Sequence, residues 1–146
     1  MTDFDDFDLI RREGLATLAR DMAEHGAERD APVRTIFGLL GDRWSMLILL
    51  LLDIAPFRHA ELRRLLDRMS AEGKISQRVL TLKLRQLERN GMVARSVSDD
   101  VPPRVGYALT PLGRGLLGEA KHLLVWVQSG RERIEQARAS FDAAED

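Results

Sequence analysis

Apolar residues recur first at helical spacing, then at strand spacing, and then at helical spacing again. Leu15, Leu18 and Met22 predict an amphipathic helix over about Asp8 to His25, stopped by Gly26. Ala31-Pro32 opens a second, capped near Asp30 or Ala31, with Val33, Ile36, Phe37 and Leu40 on one side and a break at Gly41. Asp42 is placed to cap a third helix, Arg43 to Leu52, apolar enough to form the buried centre. Pro56-Phe57 reads as a short extended piece. A brief helix follows over His59 to Leu66, with Leu62, Leu65 and Leu66 inward, and then a polar connection from Asp67 to Lys74.

Ser76 caps the next helix, which ends at Asn90-Gly91, with Val79, Leu80, Leu84 and Leu87 inward and Leu82 beside them. Met92 to Val97 and Arg104 to Leu109 predict two strands joined through the stiff tip Ser98 to Pro103. Thr110-Pro111 restarts a helix, and Leu112, Leu116, Leu117, Leu123, Leu124, Val127 and Ile134 carry its stripe to about Ala139. The expected fold is mainly α with a small β-hairpin (α+β). It is a winged helix-turn-helix over residues 31–112, between an N-terminal acidic arm and extra helix (1–30) and a C-terminal dimerisation helix and tail (113–146).

Composition narrows the function classes. The longest apolar run, Met46 to Leu52, is far short of the roughly 20 residues that span a bilayer. The start is acidic (Asp3, Asp5, Asp6, Asp8) and carries no leader pattern, so the expected location is the cytoplasm, away from membranes. The chain has no cysteine, which removes disulfides, thiolate metal sites and thiol redox sensing. His25, His59 and His122 are widely spaced, and no Gly-rich phosphate loop, nucleophile elbow or flanked carboxylate pair appears. Neither an enzyme nor a metal or other cofactor is expected. The net charge is −1, unevenly spread: Arg58 to Arg104 holds eleven Lys and Arg against six Asp and Glu, a net of +5, which leaves −6 for the two ends. A basic middle between acidic flanks fits a phosphate-binding footprint, although a solvated surface explains charge equally well.

A helix entering a major groove reads base edges from its N-terminal end. On the helix after Ser76, the residues Gln77, Arg78, Thr81 and Arg85 share one face. Arg78 suits guanine, Gln77 suits adenine, and Thr81 suits a thymine methyl or a phosphate. Arg58, Arg63, Arg64 and Lys74 are candidate phosphate contacts. Pro103 and Arg104 at the tip are candidates for a minor groove or backbone contact. Trp44, His122 and Trp126 are a candidate effector pocket; for Trp44 a core position, and for His122 and Trp126 packing across a dimer seam, are the plainer readings.

The blocks APVRTIFGLLGDRW (31–44), PFRHAELRRLL (56–66), ISQRVLTLKLRQLERNGMV (75–93) and VPPRVGYALTPLGR (101–114) resemble the HxlR-type family of winged-helix regulators, over about Pro32 to Trp126. The resemblance implies a dimeric bacterial transcription factor on double-stranded DNA. It places Ser76, Gln77, Arg78, Thr81 and Arg85 in the major groove, with Val101 to Arg104 near the backbone or minor groove. Dimer contacts would come from the long C-terminal helix and the segment before the core. Two departures stand out: oxidant-sensing members carry a cysteine where this chain has Ala31, and the family has fewer residues ahead of that point. The expected activity is sequence-specific operator binding and repression. The alternatives are a MarR-like ligand-sensing regulator and a winged-helix protein-interaction module without DNA contact.

Overall fold

The computed structural model describes residues 4–146, so Asp3 of the acidic start lies outside the described residues. The chain divides into two units, Met1–Arg43 and Trp44–Asp146.

The first unit carries α1 (Leu9–His25) and α2 (Pro32–Gly41). The Asp8 carboxylate caps α1 by accepting from the Arg11 amide at 3.1 Å, and the Gly26 N–H closes it onto the Met22 carbonyl at 2.8 Å. None of its residues is buried; Leu15 is half-buried, and Leu18 and Met22 are exposed. α2 starts on Pro32 with no side-chain cap. Its one buried residue is Leu39, which the sequence pattern left out, whereas the expected inward residues Val33 and Phe37 are exposed.

The second unit holds the core. α3 (Arg43–Ile54) starts at the junction and buries Ser45, Ile48, Leu49, Leu51 and Leu52, as its near-continuous apolar run requires. Around it pack Leu62 and Leu66 of α4 (His59–Met69) and Leu80, Leu84 and Leu87 of α5 (Gln77–Arg89), with Leu117 and Ala120 of α6 (Pro111–Ser129). α4 runs three residues past its expected end. Leu65 is only half-buried, and Val79 and Leu82, expected on the inner side of α5, are exposed.

The two expected strands form β2 (Val93–Val97) and β3 (Val105–Leu109), antiparallel, with Arg95 opposite Tyr107. The extended piece after Pro56 becomes a third strand, β1 (Phe57–Arg58), so the order is β1-β3-β2 and the hairpin is part of a three-stranded sheet. The last expected helix is two helices: α6 ends at Gly130, whose N–H bonds the Trp126 carbonyl at 3.0 Å, and α7 (Arg131–Glu145) restarts beyond it. The apolar stripe continues through Ile134 almost in register, which is why periodicity alone joined them.

Side-chain bonds fix the helix-turn-helix geometry. On α4, Arg63 and Asp67 lie one turn apart and grip Ile75 just ahead of α5. The Ile75 amide donates to the Asp67 carboxylate at 2.8 Å, and the Arg63 guanidinium donates to the Ile75 carbonyl at 3.3 Å. Gly73, at φ +86°, makes the preceding bend. At the wing's other end the Thr110 hydroxyl donates to the Gly91 carbonyl at 2.5 Å and accepts from the Gly113 amide at 2.9 Å, tying α6 to the turn between α5 and β2. A Cβ on Gly113 would run into the Met92 carbonyl.

Candidate nucleic-acid interface

The Ser76 hydroxyl accepts from the Val79 amide at 3.1 Å and starts α5, whose Leu80, Leu84 and Leu87 turn inward. The opposite face is open to solvent and carries Arg78, Leu82, Arg85 and Arg89. Along one edge of α5 runs a concave groove, walled by the start of α4, by Gln77, Thr81, Arg85 and Glu88 of α5, and by the wing's Arg95, Arg104, Val105 and Tyr107. Five guanidinium side chains line it (Arg58, Arg64, Arg85, Arg95 and Arg104) against two carboxylates, Glu61 and Glu88. A groove of this charge attracts polyanions.

The structure distributes the sequence-named residues unevenly. It brings Arg58, Arg64, Gln77, Thr81, Arg85 and Arg104 to this groove. Arg78 is exposed outside its lining, Lys74 and Pro103 are exposed, and Ser76 serves the helix cap. Arg63 is occupied with the Ile75 carbonyl. Thr81 is half-buried, and its hydroxyl lies 3.0 Å from His59 Nε2, so it enters the groove already partnered. Arg58 donates to Glu61 at 3.1 Å, and the Arg58 amide donates to the same carboxylate at 3.0 Å. That backbone bond first, then the side-chain one, holds the Glu61 carboxyl below its usual range. Arg104 reaches Asp100 at 3.9 Å across the tip, which is closed by Ser98 N–H to Arg104 carbonyl and Arg104 N–H to Ser98 hydroxyl, both at 2.9 Å.

The groove also takes in residues that the sequence pattern did not single out, Arg95, His59 and Tyr107 among them. The signal for Arg95 was its register opposite Tyr107, which puts both on one face of the sheet. The His59 and Tyr107 rings stand 6.5 Å apart, and burial first, then the Arg63 charge, lowers the His59 pKa. Trp44, His122 and Trp126 do not line the groove. Trp44 is half-buried, while Trp126 is 67% exposed and His122 stands open near Glu119. Among the described residues no group of His, Asp and Glu is arranged to hold a metal ion, and no single helix is long and apolar enough to cross a membrane.

Helix, turn, capped helix and a two-stranded wing enclosing a cationic groove define a winged helix-turn-helix, the framework of a DNA-binding transcriptional regulator. The HxlR-like helix-turn-helix family model matches residues 39–135, and the chain belongs to that family. It is 38% identical over 112 residues to the HTH-type transcriptional regulator YdeP of Bacillus subtilis strain 168, covering 77% of this chain and 83% of YdeP. The solved structure of the redox regulator HypR in its reduced form superposes with a TM-score of 0.60 at 34% identity, over 73% of this chain and 99% of that one. A transcriptional regulator assigned to the MarR family, from Enterococcus faecalis V583, superposes with a TM-score of 0.61 at 31% identity, over 71% and 89%. The chain is therefore a DNA-binding transcriptional regulator of a family of regulators rather than of enzymes.

Proposed function

We propose that the chain represses transcription as a cytoplasmic homodimer that occupies a palindromic operator on double-stranded DNA. The observation that carries this reading is the cationic groove beside the open face of α5. α5 enters the major groove, where Arg78 and Arg85 reach guanine or phosphate and Gln77 reaches an adenine edge. Thr81 and His59, bonded to each other, present one joint polar edge to the backbone, with Ser76 at the helix start. Arg58, Arg64, Arg95 and Arg104 follow a phosphate strand along the groove, with Lys74 and Pro103 at its margins. Arg63 supports this surface through Ile75.

The homodimer is favoured by apolar surface on each unit. α6 exposes Leu123, Leu124, Val125, Trp126 and Val127 in succession, and α1 exposes Leu9, Ile10, Leu18 and Met22. Patches of this kind mark association surfaces. Trp126 fits a seam between two copies better than an enclosed effector pocket with Trp44 and His122. Whatever signal acts on the chain acts without a thiol, since cysteine is absent.

Two substitutions test the assignment. Arg78→Ala is expected to cost roughly 1–3 kcal/mol at one operator position and relax the preference there. Arg104→Ala is expected to weaken binding to all duplexes and flatten the dependence of log K on log salt by about one unit. An equal loss on random DNA for Arg78→Ala makes that residue a phosphate contact, and an unchanged slope for Arg104→Ala removes the wing from the interface.

A further inference from the structure

Leu82 stands in the middle of the open face of α5, four residues after Arg78 and three before Arg85. The core does not use it: Leu80, Leu84 and Leu87 hold the helix, while Leu82 is 52% exposed and Val79, on the adjacent turn, is 36% exposed. Two branched apolar side chains thus sit among guanidinium groups on the helix that faces DNA. The major groove offers such a pair one apolar partner. The other groups that tell the base pairs apart there are hydrogen-bond donors and acceptors, and cytosine has only a hydrogen at C5, so the thymine C5 methyl is the one apolar group of any bulk. A protein surface closing over Leu82 would also strip water from Arg78 and Arg85, which is costly without paired anions. DNA meets those two cations with phosphates and guanine edges.

We infer that Leu82, with Val79 beside it, is a specificity-determining contact that reads the methyl group of a thymine in each half-site. The inference rests on α5 being the helix that enters the major groove. It assigns Leu82 a part in discrimination rather than in general affinity, because a methyl contact carries no charge and adds nothing to phosphate binding.

The test uses the full chain and duplexes recovered by selection from a random library. Thymines in the selected sequence are replaced one at a time by deoxyuridine, which lacks the methyl, and then by 5-bromodeoxyuridine, whose bromine restores its bulk. The expected result is one thymine per half-site at which loss of the methyl weakens binding about fourfold, the worth of one buried carbon, and at which bromine restores it. Leu82→Gln is expected to abolish that difference and leave affinity for random duplex unchanged, while Leu82→Met, which stays apolar, keeps the difference. Equal affinities across all deoxyuridine duplexes overturn the inference, as does a methyl effect that survives in Leu82→Gln; in both cases the DNA reading stands. A library that yields no enriched sequence rejects both.

Discussion

Asp53, near the end of α3, holds two cations of α6: Lys121 Nζ at 2.7 Å and Arg114 at 3.3 Å. The Lys121 hydrogen bond is the largest cause of its lowered pKa, which burial partly opposes and the charges of Lys121 and Arg114 deepen. Folding therefore favours the charged carboxylate. Its contribution is present above the unfolded value of about 3.9 and is lost as pH falls through the lower folded value. Thermal unfolding followed from pH 7 into the acid range is expected to show wild type losing stability more steeply below about pH 4 than Asp53→Asn, which starts lower at neutral pH. Parallel curves would remove this contact from the stability account. Other residues show where single-residue reading ends. Thr81 looks like a free contact on a helical wheel, yet His59, twenty-two positions earlier, already holds its hydroxyl. Leu82 looks like core because it is leucine, and only the placement of Leu80, Leu84 and Leu87 shows that the core is satisfied without it.

The angle between α4 and α5 depends on a few bonds that cross the turn. Asp67→Ala leaves the Ile75 amide without its carboxylate partner, at an expected cost of roughly 1–3 kcal/mol. Gly113→Ala forces a Cβ against the Met92 carbonyl and is expected to cost about 1–3 kcal/mol through displaced backbone. Urea unfolding measures both; wild-type midpoints would show that the turn and the wing root tolerate these changes. Capped and strongly periodic elements were legible in the sequence: Asp8, Ser76 and Thr110 begin the helices they were expected to begin. β1 was legible only as an extended piece at Pro56-Phe57; its place in the sheet was not, because two residues carry no periodicity and their pairing with Tyr107 and Gly106 is set by the sheet. Gly130 was missed for the opposite reason, since the apolar stripe passes over it and its neighbours give no second break. At the interface, the face of α5 was readable as a helical stripe, whereas the groove was not, because Arg95 and His59 reach it from distant segments.

Assembly and operator reading are expected to be one property of the whole molecule. Leu124→Glu puts a charge into the exposed apolar run of α6, and in the proposed dimer it should lower self-association and operator affinity together, with helicity unchanged. Sedimentation at low micromolar concentration, in parallel with duplex titration, checks the coupling; operator affinity retained by a monomeric variant would separate the two. In the proposed dimer, two copies of this chain place their α5 helices in successive major grooves. Hydroxyl-radical footprinting of the wild-type chain on its selected duplex reads this placement. Two chains per duplex are expected, with a pair of dyad-related protected regions centred about 34 Å apart, one helical turn. A single asymmetric protected stretch with one chain per duplex would contradict it.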